Sequence, residues 1–207
     1  MHMNRLALFA WLGIAVAVFG FSAPGRAQTL SGAALVGALR QGGFVLVTRH
    51  ANSPAQPPAK GAADPANVKL ERELDEAGRD AARAMGQAVK GLRIPIGDVV
   101  SSPSFRARQT IELTGLGRPK IADELDEGAA GMQAIPEATR LGWLKTKIGE
   151  TPRSGTNTIL VTHAPNIQGA LGIDAAAGET IVFRPDGHGG VTQVARIKIG
   201  DWATLPK

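Results

Sequence analysis

Cysteine and tyrosine are both absent from the 207-residue chain. Without cysteine, the protein has no disulfide, no thiolate metal ligand and no cysteine nucleophile. Aromatic residues make up only 4% of the sequence, which disfavours a surface on which nucleic-acid bases would stack. Lysine and arginine form no run, although the formal net charge is +5. We therefore expect no nucleic-acid partner.

The first 27 residues have the pattern of a secretory signal peptide. Arg5 precedes an apolar run from Leu6 to Phe21, and Gly25 and Ala27 have the spacing that a signal peptidase reads. The alternative is an uncleaved membrane anchor, for which the apolar run is short. We expect cleavage after Ala27, no stable membrane span afterwards, and an exported protein that is periplasmic or secreted. Cleavage would remove two arginines and no acid, and would lower the net charge from +5 to +3.

Residues 28–207 are predicted to form one α/β domain. Hydrophobic residues make up 43% and charged residues 20% of the sequence, as in globular proteins. Continuous apolar strands alternate with segments of helical periodicity, which predicts a three-layer sandwich: a mainly parallel central sheet with helices on both faces. Predicted strands are 43–48, 98–102, 120–122, 158–163 and a terminal hairpin turned by "DGHGG"; predicted helices are 30–41 with Ser31 as N-cap, 74–92, 104–115, 136–150 and the segment "NIQGALG".

Cationic side chains follow three of these apolar strands. Arg49 and His50 follow the first, Arg106 lies in a helix that begins just after the second, and His163 follows another. Ligands of open α/β sheets bind at the carboxyl ends of the strands, so we expect these four side chains to meet. Guanidinium groups, imidazoles and helix N-termini together favour an anion. The pattern therefore predicts a phosphate-binding site.

Three segments carry a family resemblance: "VTRHANSP", "SSPSFRARQT" and "ILVTHAPNI" resemble the signature segments of the histidine phosphatase superfamily, the phosphoglycerate mutase-like proteins. The resemblance implies that His50 is a nucleophile that forms a phosphohistidine. It implies that Arg49, Arg106 and His163 hold the phosphoryl oxygens, and that no metal or cofactor is needed. The short interval between Arg106 and His163 resembles the compact phosphatases rather than the mutases.

Other residues of this region are assigned by position. Larger members of the family take the leaving group's proton from a glutamate in a segment that resembles "ELDEGAAG", where Glu127 stands. Glu124 and Asp126 are alternatives, and the whole stretch is otherwise a solvated loop. Asn52 follows the nucleophile and is expected to donate to phosphate.

Two further features are given no role in the chemistry. His188 lies in a glycine-rich turn, where we expect it to be exposed and inert. The charge run "KLERELDEAGRD" is interpreted as a solvated helix face.

The sequence thus predicts an exported phosphomonoesterase that acts on a small phosphorylated substrate, for example an envelope phosphosugar. Two alternatives remain open. One is a phosphate-binding or regulatory module without turnover, and the other is a protein phosphohistidine phosphatase, against which export argues. Substrate selectivity is expected to lie in the proline-rich loop 53–67 and in residues 123–136.

Overall fold

The computed structural model describes residues 29–128 and 135–207. The predicted signal peptide lies outside these ranges. None of the helices in the described residues is long and apolar enough to cross a membrane.

The described residues form five α-helices and one six-stranded sheet. The helices are α1 (Gly32–Gln41), α2 (Glu76–Gly91), α3 (Phe105–Thr114), α4 (Glu137–Ile148) and α5 (Ala164–Leu171). The strands are β1 (Val45–Arg49), β2 (Ile96–Ser101), β3 (Lys120–Ile121), β4 (Asn157–Thr162), β5 (Thr180–Pro185) and β6 (Val191–Ile197). These elements correspond to the predicted ones, with ends that differ by a few residues.

The sheet has the order β3-β2-β4-β1-β5-β6. Strands β1 to β4 pair in parallel, while β5 is antiparallel to β1 and to β6. Alternate residues of each strand enter two separate cores, as the pleat requires. Leu46, Ile159 and Val182 pack under α1, α2 and α3, whereas Val47, Leu160 and Ile181 pack under α4 and α5. The predicted three-layer sandwich with a mainly parallel sheet is confirmed.

Helix α2 begins later than predicted, and the difference corrects the interpretation of the charge run. Asp75 is the N-cap, and its carboxylate accepts a hydrogen bond from Gly78 N at 2.7 Å. Residues 71–74 belong to no helix or strand and are buried or partly buried. Glu73, which is only 9% exposed, accepts hydrogen bonds from Asn67 Nδ2 and Asp64 N. The first half of the run is therefore a packed segment and not a solvated helix face.

The predicted C-terminal hairpin is also present. Strands β5 and β6 are joined by residues 186–190, and the Asp186 carboxylate accepts hydrogen bonds from His188 N and Gly190 N. The His188 side chain is exposed, as expected. At the other end of the chain, Ser31 stands before α1, but its side chain makes no capping hydrogen bond.

Candidate active site

Three neighbouring strands bring the site residues to one edge of the sheet. Strand β4 lies between β2 and β1, so the residues that follow the three strands are adjacent. The backbone joins them directly, because His50 N donates to the Thr162 carbonyl at 3.0 Å and Ser102 N donates to the Val161 carbonyl at 2.9 Å. The positions of His50 and His163 therefore follow from the sheet register.

His50 is buried and held in one tautomer. Its Nδ1 lies 2.8 Å from the Ala51 carbonyl oxygen, and a carbonyl only accepts, so Nδ1 carries the hydrogen. The lone pair is then on Nε2, where Arg106 Nε donates at 3.3 Å. Burial, together with the charges of Arg106, Arg49 and Arg72, lowers the pKa of His50 to about 4, against an opposing effect of the Ala51 hydrogen bond. The imidazole is thus neutral at mildly acidic and neutral pH.

His163 is fully buried and has the opposite tautomer. Arg106 Nη2 lies 3.1 Å from Nδ1, and a guanidinium only donates, so Nδ1 accepts. The Nε2–H then faces Ser102 Oγ at 2.9 Å and Ser104 Oγ at 3.2 Å. Burial first, then the charge of Arg106, lowers the pKa of His163 well below its ordinary value. The two imidazole rings lie 5.2 Å apart.

Arg106 is the centre of the cluster. It lies in the first turn of α3 and is only 4% exposed, and its guanidinium donates to His50, His163 and Glu127. Thr110, one turn later, fixes the helix against Ala51, the residue that follows His50. Its hydroxyl donates to the Arg106 carbonyl at 2.8 Å and accepts from Ala51 N at 3.0 Å.

Glu127 is the acid that the fold brings to the cluster. One carboxylate oxygen pairs with Arg106 Nη2, and the other lies 3.5 Å from His163 Nδ1. Asp126 lies behind His163, with Oδ1 at 3.8 Å from Nε2. Glu124 belongs to a 3₁₀ turn (Asp123–Leu125) and makes no hydrogen bond to the described residues of the cluster. Of the three candidate acids, Glu127 is the one that pairs with Arg106, which in turn donates to His50.

Arg49 and Asn52 are placed differently from each other. Arg49 Nη1 donates to the Ala175 carbonyl at 2.8 Å, and its buried Nε has no hydrogen-bond partner among the described residues. Its charge contributes to the lowered pKa of both histidines. Asn52 Nδ2 instead donates to Asp75 Oδ2 at 2.5 Å. This hydrogen bond holds the Asn52 amide at the start of α2. It does not support the expected contact between Asn52 and phosphate.

Arg72 lies beside the site and has no counterpart in the sequence prediction. Its Nε donates to the Pro54 carbonyl at 2.7 Å and its Nη2 to the Ser53 carbonyl at 3.3 Å. Its charge contributes to the lowered pKa of His50 and of His163. The charge run was predicted to be a solvated helix face, which leaves Arg72 outside the site. No short-range pattern in the sequence indicates its contacts with Ser53 and Pro54.

The segment that carries Arg72 is fastened to α3 on both sides of Arg106. Glu71 Oε2 accepts from Phe105 N at 2.8 Å, at the first residue of the helix. Gln109 Oε1 accepts from Leu74 N at 2.7 Å. A carboxylate at a helix N-terminus also interacts favourably with the helix dipole.

Ser102 and Ser104 are the other residues that the sequence prediction passed over. They lie in "SSPSFR", which directly follows β2, and their hydroxyls are the partners of His163 Nε2. Their position directly after an apolar strand is the sequence feature that could have indicated them. Within residues 29–128 and 135–207, no group of three or more histidine and acidic side chains is arranged to hold a metal ion.

The arrangement combines a neutral imidazole with an available Nε2 lone pair, buried cations and one partly exposed carboxylate. Such a cluster can bind an anion with several oxygens, and it offers that anion both a nucleophile and a proton donor. The cations would offset negative charge that develops on the anion.

The family-model comparison agrees with this chemistry, and the solved structures agree with the fold. Residues 45–141 match the family model of the histidine phosphatase superfamily, branch 1. A search of curated protein sequences gave no significant match. The fold is similar to that of the protein histidine phosphatase SixA complexed with tungstate, with 20% identity, 76% of this chain and 98% of that chain covered, and a TM-score of 0.55. It is also similar to a candidate alpha-ribazole-5'-P phosphatase from Escherichia coli strain K-12 substrain MG1655, with 13% identity, coverage of 73% and 94%, and a TM-score of 0.51.

Proposed function

This chain belongs to the histidine phosphatase superfamily, and from that premise we propose that it is a metal-independent phosphomonoesterase with His50 as nucleophile. The observation that carries the proposal is the state of His50. Its Nδ1–H is fixed on the Ala51 carbonyl, its Nε2 is directed at Arg106, and its pKa is lowered to about 4. A nucleophile must be unprotonated, and this imidazole stays so at mildly acidic pH.

The proposed reaction has two steps. In the first, the Nε2 lone pair of His50 attacks phosphorus and the bond from phosphorus to the ester oxygen breaks. Glu127, in its protonated form, gives its proton to the departing oxygen. In the second, water attacks the phosphohistidine, Glu127 takes a proton from that water, and the phosphorus–nitrogen bond breaks to return the electron pair to Nε2. The products are an alcohol and inorganic phosphate.

Arg106, Arg49 and His163 are proposed to hold the phosphoryl group. Arg106 would exchange its contacts with His50 and Glu127 for phosphoryl oxygens, which frees both groups for the reaction. Arg49 has a buried Nε that no described residue accepts from. Buried donors aimed at a phosphoryl group stabilise the charge of its transition state.

Hydrolysis of para-nitrophenyl phosphate tests the proposal. We expect turnover by the wild type in the presence of a chelator, from mildly acidic to neutral pH, and no turnover by His50→Ala. If neither protein turns over and the wild type still binds vanadate, the chain is a phosphate-binding module. Equal turnover by both proteins would show that the nucleophile is not His50.

We also propose export, which rests on the sequence of residues 1–27. Location then favours a small phosphorylated substrate outside the cytoplasm, such as an envelope phosphosugar, over a phosphohistidine protein of a cytoplasmic relay. N-terminal sequencing of the protein recovered from a cell envelope fraction tests this: we expect a mature chain that begins at Gln28. A full-length chain retained in the cytoplasm would reverse the order of these two substrate classes.

A further inference from the structure

The backbone just before Glu127 is held from behind by a buried asparagine of α5. Asn166 is 1% exposed, and its Nδ2 donates to the carbonyls of Leu125 at 3.0 Å and Asp126 at 2.8 Å. Both carbonyls belong to the residues that immediately precede Glu127. A loop would normally satisfy such groups with water, so this amide fixes the loop to the protein interior.

A buried arginine of α4 completes the same contact. Arg140 is 9% exposed, and its Nη1 donates to the Asp126 carbonyl at 2.8 Å and to Asn166 Oδ1 at 2.6 Å. Its Nε donates to the Ile135 carbonyl at 3.3 Å. All these acceptors are neutral oxygens. Burial of a cation is unfavourable without compensation. Because the buried Arg140 donates to carbonyl oxygens and pairs with no acid among these contacts, we infer that it orders the backbone around Glu127.

The chain on the far side of Glu127 also meets this arginine. Gly128 has a φ of +79°, and a Cβ there would lie 3.1 Å from Arg140 Nη2. The guanidinium thus donates to the backbone before Glu127 and lies beside the residue that follows it.

The same network reaches the other side of the site. Thr162 Oγ1 donates to the Leu125 carbonyl at 2.8 Å and lies 3.1 Å from Asn166 Nδ2. Thr162 is the last residue of β4 and directly precedes His163. One set of buried hydrogen bonds therefore sets the distance between the acid and the phosphoryl-binding edge.

We propose that Arg140 and Asn166 are positioning residues that set the Glu127 carboxyl group for proton transfer to the leaving group. This inference rests on the proposed role of Glu127 as proton donor. Neither residue touches the substrate. Their effect is geometric: a displacement of about 1 Å in a reacting group costs on the order of 100-fold in rate.

The dependence of rate on the leaving group tests the inference. A nitrophenolate leaves without a proton, whereas an alkoxide needs one. We expect Arg140→Met and Asn166→Ser to lower kcat/KM for an alkyl phosphate such as glycerol phosphate by on the order of 10- to 100-fold, within the range of general acid catalysis. The same variants should keep kcat/KM for para-nitrophenyl phosphate within about threefold of the wild type, because that reaction needs no acid.

One control variant and the comparison of the two substrates make the outcomes distinct. Glu127→Gln should show the same selective loss; if it does not, the proton-donor assignment fails and the positioning inference fails with it. If Glu127→Gln shows the loss and the Arg140 and Asn166 variants do not, only the positioning inference is overturned. An equal loss on both substrates would also overturn it, because that is the signature of a merely structural role.

Folding of the variants is checked separately. Arg40 is a matched control on the other face of the sheet, where its Nε donates to the Leu92 carbonyl at 2.7 Å, and Arg40→Met should leave both substrates unaffected. If Arg140→Met does not fold, Arg140→Lys retains the charge and loses the planar fork that spans two acceptors. We expect this variant to show the same selective loss at an intermediate size, and the absence of any selectivity in it and in Asn166→Ser would refute the inference.

Discussion

Two regions of the molecule present a histidine after a strand, and they differ in everything that surrounds it. At the carboxyl edge of β2, β4 and β1, His50 and His163 are buried among arginines and each ring has a fixed tautomer. At the β5–β6 hairpin, His188 is exposed in a turn of glycines. A histidine that follows a strand is therefore not, by its position alone, evidence of a functional site. The first region differs because neighbouring parallel strands bring arginines and histidines to the same edge of the sheet.

The largest expected effect is on activity, when one histidine is removed from each region. His163→Ala should lower turnover of para-nitrophenyl phosphate on the order of 100- to 1000-fold, as when a donor to developing charge is removed. His188→Ala should leave turnover unchanged. Steady-state kinetics with thermal unfolding of both variants provides the check. A loss in His188→Ala, or full activity in His163→Ala, would place the site elsewhere.

The second effect is on stability. Folded His50 has a pKa of about 4, against 6.5 for an unperturbed histidine. Below pH 6.5 the unfolded chain binds the proton more readily, so the free energy of unfolding should fall as the pH drops from about 6.5 to about 4. The contribution of His50 is about 3 kcal/mol when complete, and His163 acts in the same direction.

Denaturant unfolding at several pH values measures this loss. His50→Asn should flatten the profile, whereas His188→Ala should retain the slope of the wild type. Saturating sulfate, which stays a dianion over this range, should also flatten it by raising the pKa of both histidines. An equally steep profile for His50→Asn would contradict the cause assigned here.

The third effect concerns how tightly each region is packed. A Cβ on Gly78 of α2 would overlap with the Asn52 carbonyl oxygen, two residues after His50. A Cβ on Gly187 of the hairpin would meet nothing within 4 Å, although its φ is +79°. We expect Gly78→Ala to cost about 2–3 kcal/mol through overpacking and Gly187→Ala about 1 kcal/mol through backbone strain. Equal unfolding midpoints for the two variants would remove this distinction.

The smallest effect comes from the rim of the site. Arg72→Met should raise KM for para-nitrophenyl phosphate about tenfold with a smaller change in kcat, since a positive charge beside the site is lost. Arg83, whose ion pair with Asp80 is solvent-exposed, is the matched control: Arg83→Met should change neither constant. An unchanged KM in Arg72→Met would restrict Arg72 to a role in holding the Ser53–Pro54 backbone.

The strand-end residues could be predicted from the sequence because their signal is local. Each apolar strand is followed at once by a polar motif, and parallel strands place those motifs together. Arg72, Arg140 and Asn166 could not be found in that way. Their contacts with Ser53, Pro54, Leu125 and Asp126 are made to backbone carbonyls distant in sequence, to which no spacing rule applies. The candidate acid is an intermediate case. Its position in the sequence indicates an acidic stretch, and only the contacts with Arg106 and His163 distinguish Glu127 from its neighbours.

The pairing of β1 with β4 has a consequence for how the protein is made. Asn157 Oδ1 accepts a hydrogen bond from Phe44 N, across 113 residues of chain, and the two strands then place His50 beside His163. Contacts this distant in sequence close late in folding because a long loop must be ordered first. A nascent chain therefore contains His50 long before it contains His163. The cluster of His50, Arg106 and His163 can assemble only when the C-terminal third of the sequence has joined the sheet.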